Sequence, residues 1–111
     1  MNKIPDAGDV VVIDFDPQAG HEQAGKRPAL VLSPLNFNKV TGFVWVCPIT
    51  NQSKGYPFEV TITGVYKTTG VALTDQMKSL DREARKLFVV DRVSPECLES
   101  AKGLVKTILG E

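Results

Sequence analysis

The feature that most restricts the fold is a series of short apolar runs in the first ninety residues. They cover residues 10–13, 28–33, 43–50, 58–63, 71–80 and 87–90. Most are rich in β-branched or aromatic residues and bounded by glycine, proline or polar residues, which is typical of strands. Residues 58–63 alternate between apolar and polar, as a strand with one buried face does. Residues 71–80 read as one longer strand with a polar middle. The pattern predicts a sheet of about six strands.

The last segment has a different pattern, which predicts a helix. Ser94-Pro95-Glu96 combines a hydroxyl N-cap, proline at the first helical position and an acid near the positive end of the helix dipole. One apolar stripe follows at helical spacing: Cys97, Leu98, Ala101, Leu104, Val105 and Ile108. Gly110 is the expected stop, and Gly103 is expected to pack closely against a neighbour. A shorter helical turn is expected at residues 35–39. The fold class is therefore mainly β (α+β): a curved, mostly antiparallel sheet with a C-terminal helix.

Length and cysteine content predict one intracellular domain. The chain of 111 residues is expected to form a single domain over 1–111. Cys47 and Cys97 lie in apolar runs and are expected to be reduced and buried. No run reaches the length of a membrane span, and residues 1–6 lack the apolar core of a signal peptide, so the expected location is the cytoplasm. No cluster has metal-ligand spacing, and no nucleotide-binding motif is present; we expect no metal or cofactor. Asp14 and Asp16 are expected to cap a turn.

The charges are balanced overall but segregated along the chain. Thirteen cations against thirteen acids argue against a generally basic nucleic-acid coat. Five acids and one lysine lie in residues 1–22, whereas residues 23–58 contain four cations and no acid. Five of the eight aromatic residues lie in this basic stretch. Cations beside aromatic rings are typical of single-stranded RNA binding. We expect Phe43, Trp45 and Phe58 to be core residues, and Phe37 and Tyr56 to be available for stacking.

Two junctions between strand and loop carry the groups best suited to a phosphodiester. In Gly25-Lys26-Arg27-Pro28 a glycine-containing loop enters a strand, and Arg27 offers a planar fork of donors. In residues 48–55 a strand ends at Thr50 and is followed by two amides and a lysine. If both junctions lie at the same end of the sheet, Arg27 and Thr50 flank one phosphodiester. A surface salt bridge is the alternative role for Arg27.

These motifs, taken in order, resemble the MazF/PemK family of toxin endoribonucleases (mRNA interferases) of type II toxin–antitoxin systems. The resemblance rests on Gly8-Asp9-Val10-Val11, Asp14-Phe15-Asp16-Pro17, the segment from Gly20 through Arg27 to Ser33, the segment from Pro48 to Val60, and Gly70 to Gln76 with Lys78-Ser79. It covers essentially the whole chain with few gaps.

The resemblance implies an SH3-like β-barrel that forms a homodimer and cleaves single-stranded RNA without a metal. The expected products are a 2′,3′-cyclic phosphate and a 5′-hydroxyl. A cognate antitoxin is expected to lay an extended segment over the dimer and block the RNA groove. The family's catalytic arginine and threonine fall on Arg27 and Thr50, and Glu22 matches a loop position tied to activity. The expected RNA contacts are His21, Gln23, Lys26, Asn51, Gln52, Lys54, Asp75 and Gln76. Asn51 is a departure, because some relatives have a second threonine there.

Two other functions fit part of the sequence. The same fold family includes the CcdB-type toxin, which binds DNA gyrase through C-terminal residues; here the C-terminal segment reads as a packing helix. A non-catalytic RNA-binding barrel is the other alternative.

Overall fold

The computed structural model describes residues 3–16, 20–21, 23 and 25–111. In those residues the chain forms seven strands, two α-helices and one 3₁₀ turn. The strands are β1 (Asp9–Asp14), β2 (Lys26–Val31), β3 (Phe43–Thr50), β4 (Glu59–Thr61), β5 (Val71–Leu73), β6 (Lys78–Asp81) and β7 (Phe88–Arg92). The helices are α1 (Leu35–Thr41) and α2 (Pro95–Ile108), and the 3₁₀ turn is Thr74–Gln76. All strand pairs are antiparallel. The predicted mainly β fold with a C-terminal helix is confirmed.

Strand β3 is the centre of the sheet. The strand order is β4-β5-β3-β2-β1-β7, and β6 also pairs with β3. One edge of β3 therefore pairs with β2, while its other edge is shared by β6 at residues 43–46 and β5 at residues 49–50. Because β5 and β6 pair with the same edge of β3, the chain between them passes residues 47–48 of β3 without pairing with them.

The prediction of one long strand over residues 71–80 is wrong. Thr50 pairs with Val71 in β5, but Val46 pairs with Lys78 in β6, so the register along β3 shifts by three residues. These extra residues leave the ladder as the 3₁₀ turn, where the Thr74 hydroxyl donates to the carbonyl of Phe58 at 2.6 Å. The polar middle of the run is thus a surface turn inserted between two short strands.

The core has two layers, one on each face of the sheet. Val10, Leu30 and Ile49 pack with Cys97 and Ala101 of α2. Their strand neighbours Val11, Ala29, Val31 and Val46 form a second cluster on the opposite face. This alternation is what the period of a strand dictates. The interior is therefore built by strands buried on both sides.

Helix α2 begins as the sequence predicts. The Ser94 hydroxyl accepts the backbone N–H of Cys97 at 3.1 Å, and Pro95 is the first helical residue. Gly110 follows the helix in a left-handed conformation, with φ +85°. The expected close packing at Gly103 is wrong: a Cβ there would meet no heavy atom within 4 Å among the described residues. Gly103 faces an open groove between α2 and β4.

The helical turn predicted at residues 35–39 is confirmed by helix α1, Leu35–Thr41.

Burial confirms the cysteine prediction and corrects the aromatic one. Cys47 and Cys97 are buried free thiols. Burial raises the pKa of Cys47 to about 12, and the charge of Asp75 acts in the same direction. Phe43 and Trp45, expected in the core, are 43% and 42% exposed. Both alternate along β3 with fully buried Val44 and Val46, so they lie on the other face of the strand, the one that carries Cys47 and Ile49. Within the described ranges, neither helix has the length and apolar character of a membrane span.

Candidate functional site

The structure brings the two predicted junctions to the same end of the sheet. Strands β2 and β3 pair antiparallel, and the last pair at this end is Ala29 with Pro48. The same register, continued by two residues, sets Arg27 opposite Thr50. Residues opposite each other on antiparallel strands point to the same face. By this register the side chains of Arg27 and Thr50 leave the same face at one end of the two strands.

A proline ends the ladder just before these two residues. The backbone N–H of Leu32 donates to the carbonyl of Trp45 at 2.9 Å, which fixes which pairs along β2 and β3 are hydrogen bonded. By this alternation, residue 28 would donate to the carbonyl of Ile49, but Pro28 has no N–H. The ladder between β2 and β3 therefore stops before it reaches Arg27 and Thr50.

Thr50 is held in place by its backbone and its side chain. It is 9% exposed, and it pairs with Val71 of β5. Its hydroxyl oxygen accepts the backbone N–H of Gln52 at 3.1 Å. Because this bond occupies a lone pair of the oxygen, the hydroxyl hydrogen is left to donate to another group.

The loop after Thr50 is folded around the carboxylate of Glu59. Glu59 accepts the hydroxyl of Ser53 at 2.6 Å and the backbone N–H groups of Lys54 and Gly55 at 2.9 and 3.2 Å. These hydrogen bonds, the one from Ser53 foremost, lower the pKa of Glu59. Asn51, Gln52 and Lys54 are exposed along this loop. Glu59 thus shapes the segment that carries three of the expected RNA contacts.

The turn at the end of β1 leads the chain back into β2. Asp14 accepts the backbone N–H of Asp16, and Asp16 accepts that of Gly25, both at 2.9 Å, which confirms the predicted capping role. Arg85 donates from its guanidinium to the carbonyl of Asp16. These contacts set the direction in which Lys26 and Arg27 enter the sheet.

The 3₁₀ turn lies against the loop that precedes β2. The backbone N–H of Gln23 donates to the side-chain carbonyl of Gln76 at 3.0 Å, so two expected RNA contacts, 53 residues apart, meet. Asp75 is exposed beside Gln76, and His21 and Lys26 are exposed as well. Glu22 lies outside the described residues. In the part of the chain that is described, no group of three or more His, Cys, Asp or Glu side chains is placed to hold a metal ion.

Several residues fix this site through contacts that the sequence alone does not reveal. A Cβ on Gly70 would lie 2.5 Å from the carbonyl oxygen of Thr50, and Thr69 donates to the side chain of Asn51 at 2.9 Å. Asp91 of β7 binds the chain just before them. Only the pairing of distant strands brings these residues together, so no local spacing could reveal them.

The fold and the site define a class: a small antiparallel β protein in which two neighbouring strands carry an arginine and a threonine at the same end, beside loops rich in amides. The sequence profile of the PemK-like, MazF-like toxins of type II toxin–antitoxin systems matches residues 6–109. The chain therefore belongs to this family.

Individual relatives agree with the family assignment. The chain is 48% identical over 107 residues to the endoribonuclease toxin MazF of Escherichia coli K12, covering 96% of each protein. It is 38% identical to the endoribonuclease PemK of Escherichia coli, covering 92% of this chain and 80% of PemK. The crystal structure of MazF from Deinococcus radiodurans matches with a TM-score of 0.93 and 44% identity, over 99% of this chain and 100% of that one. A MazE–MazF complex from the same organism matches with a TM-score of 0.86 and 45% identity, over 98% of each chain.

Proposed function

We propose that the chain, as one domain over residues 1–111, is a metal-independent endoribonuclease toxin that cleaves single-stranded RNA at short sequences. The observation that carries the proposal is the register of β2 and β3, whose last pair is Ala29 with Pro48 and which, continued by two residues, sets Arg27 opposite Thr50. Relatives with high identity and nearly complete coverage are named endoribonucleases, which supports the same activity here.

The chemistry follows from the groups at the site. The ribose 2′-oxygen attacks the adjacent phosphorus, the bond to the 5′-oxygen breaks, and a 2′,3′-cyclic phosphate remains. Arg27 stabilises the charge on the pentacoordinate phosphorus, because its guanidinium stays protonated and offers paired donors. Thr50 donates its hydroxyl to a phosphate oxygen and holds the group in line. Glu22 takes the proton from the 2′-hydroxyl, and a solvent proton completes the 5′-hydroxyl.

The RNA lies along the loops that border the strand ends. The contacts are those expected from the sequence: His21, Gln23, Lys26, Asn51, Gln52, Lys54, Asp75 and Gln76. Lys26 and Lys54 are the cations among them, so few phosphates are neutralised, and affinity should fall with salt along a shallow slope. The amides supply donors and acceptors for bases. Tyr56, which is 55% exposed, offers a ring for stacking.

We propose that a second copy of this chain covers an apolar groove between β3, α1 and the C-terminal half of α2. The groove has a volume of about 460 Å³ and is lined mainly by apolar side chains, among them Phe37, Trp45, Met77, Val105 and Leu109. Trp45 is 42% exposed and Leu109 is 70% exposed. Large exposed apolar side chains around one groove are typical of an interface. The homodimer expected from the sequence would cover them.

A cognate antitoxin and a cytoplasmic location complete the proposal. MazF of Deinococcus radiodurans has been solved in complex with MazE, which supports an inhibitory protein partner for this chain. Messenger RNA as substrate requires the cytoplasm. Co-expression with the protein encoded beside this chain should restore the growth of cells that produce it.

The test of the nuclease is cleavage of a defined single-stranded RNA in the presence of EDTA. The wild-type protein should give discrete fragments with 5′-hydroxyl ends. Arg27→Ala should reduce the cleavage rate about 10²- to 10³-fold, because it removes the main stabiliser of the transition-state charge. Thr50→Val keeps the shape of the side chain and removes only its hydroxyl, and it should also reduce the rate.

The matched control is Lys39→Ala. Lys39 is an exposed cation of the same basic stretch, but it lies on α1, next to the opposite end of β3. This variant should cleave as the wild type does. RNA that is shifted but not cleaved would indicate a non-catalytic binding module, and inhibition of gyrase with intact RNA would indicate a CcdB-type toxin. Wild-type rates for Arg27→Ala would overturn the proposed mechanism.

A further inference from the structure

The loop between β4 and β5, residues 64–70, is fixed to β7 by one carboxylate. Asp91 accepts the backbone N–H groups of Tyr66, Lys67 and Thr68 at 2.8, 3.0 and 2.9 Å, and the hydroxyl of Thr68 at 2.7 Å. A fifth bond comes from the backbone N–H of Arg92 at 2.9 Å. Three consecutive N–H groups directed at one side chain define the conformation of this loop.

A bulge places Asp91 for this role. Val10 of β1 pairs with Asp91, but the next residue, Val11, pairs with Val89, so Val90 is left over on β7. A bulge of this kind bends the strand and redirects its side chains. Asp91 can thus reach the loop between β4 and β5, although these strands stand at the opposite end of the strand order from β7.

The loop passes this constraint on to the candidate site. The hydroxyl of Thr69, the residue directly after the last one bound to Asp91, donates to Oδ1 of Asn51 at 2.9 Å. Gly70 then passes so close to the carbonyl of Thr50 that a Cβ would lie 2.5 Å from it. Because Oδ1 of Asn51 is engaged by Thr69, the amide nitrogen is the end available to donate to a ligand.

The hydrogen bonds to Asp91 favour its charged form. Its partial burial acts to raise the pKa, but the hydrogen bonds from Tyr66, Lys67, Thr68 and Arg92 outweigh this and hold the pKa of Asp91 well below its ordinary range. Lys67 and Arg92 are the charged residues next to it, and Arg92 is itself paired with Asp9 at 2.8 Å.

We propose that Asp91 is a positioning residue for substrate selection: through Thr68 and Thr69 it orients the amide of Asn51, which donates to an acceptor atom on one nucleobase beside the scissile phosphate. The inference rests on the proposed nuclease function. It explains how a residue on the last strand controls base preference without touching RNA.

The test compares two variants that break the same path at different points. Asp91→Asn places an amide N–H₂ group against at least two N–H donors in either orientation of the side chain. Thr69→Val leaves Asp91 and its contacts intact and removes only the hydrogen bond to Asn51. Both are assayed on one RNA that carries the mapped cleavage sequence together with its single-base variants.

The readout is the ratio of cleavage at competing sequences within the same tube. Loss of folded protein lowers all rates equally and leaves this ratio unchanged. Each variant should reduce the preference for the base at one and the same position about two- to tenfold, the range of one hydrogen bond, and should raise KM more than it lowers kcat. The double variant should change the ratio no further than the stronger single one, because both act along one path.

Asp81→Asn is the matched control. Asp81 also accepts two backbone N–H groups, from Glu83 and Ala84 at 3.0 Å, but it pairs with Phe43 at the other end of β3, roughly 23 Å from Thr50. The Asp81→Asn variant should show the same base preference as the wild-type protein. Unchanged ratios in Thr69→Val, whatever the stability of Asp91→Asn, would overturn the inference alone. Absence of cleavage by the wild type would overturn the proposed function as well.

Discussion

Gly70 shows how a residue without a side chain fixes the position of Thr50, for which we propose a catalytic role. Its φ is +118°, and its Cα lies against the carbonyl of Thr50. Any side chain at this position both strains the backbone and collides with a strand end that cannot shift without moving Thr50. The sequence motif contains this glycine, but the reason for it becomes visible only when β5 is seen beside β3.

We predict that Gly70→Ala lowers both the melting temperature and the cleavage rate. Gly42→Ala is the control, because Gly42 also has a positive φ, +77°, but a Cβ there would meet nothing within 4 Å among the described residues. Gly42→Ala should therefore show only the backbone penalty of about 1 kcal/mol and keep full specific activity. Equal losses of activity in the two variants would contradict the role assigned to the close approach at Thr50.

The sequence predicts an element well where a local pattern determines it, and poorly where the pairing of distant strands determines it. Strand β3 and helix α2 were predicted well, because a β-branched run and a capped apolar stripe are local signals. The division of residues 71–80 was missed, because it arises from two strands sharing one edge of β3. The predictions for Trp45 and Gly103 are wrong for a related reason, because the sequence does not reveal which side of a strand or helix is left without a packing neighbour.

Helix α1 is joined to its surroundings by one buried amide. Asn38 is fully buried, and its Nδ2 donates to the carbonyls of Pro5 and Ser33 at 2.8 and 2.9 Å, while the Ser33 hydroxyl donates to its Oδ1. Asn38 thus ties the N-terminal segment, the end of β2 and α1 together.

We predict that Asn38→Ala lowers the free energy of unfolding by about 2–3 kcal/mol, because it leaves buried carbonyl groups without a donor. Asn36→Ala in the same helix is the control, since Asn36 is exposed, and its effect should stay within about 0.5 kcal/mol. Urea unfolding followed by circular dichroism measures both values. A similar loss in the two variants would show that the amide network adds nothing beyond helix propensity.

For the whole molecule, the balance of charge and the uncovered apolar groove point to different partners. The acid-free stretch supplies Arg27 and Lys54 at the strand ends, whereas Trp45 and Leu109 border the groove between β3 and α2. The family resemblance predicted both partners. Which faces they use could not be predicted, because that depends on the direction of single side chains along β3.

We predict that Trp45→Glu converts a dimer into a monomer, because it places a charge in the apolar groove that the second copy covers. Val40→Glu is the control, since Val40 is 83% exposed on α1 and does not line the groove. Light scattering coupled to size-exclusion chromatography gives the mass of each. A dimeric Trp45→Glu protein would place the interface elsewhere.

The pairing of the first strand with the last has a consequence for how the protein is made. Asp9 is 1% exposed and is paired with Arg92, and the 64–70 loop is bound by the carboxylate of Asp91, so both contacts need the last strand. A nascent chain that has already released Arg27 and Thr50 from the ribosome still lacks both contacts. The contacts that hold the first strand and the 64–70 loop can therefore form only after β7 has been translated.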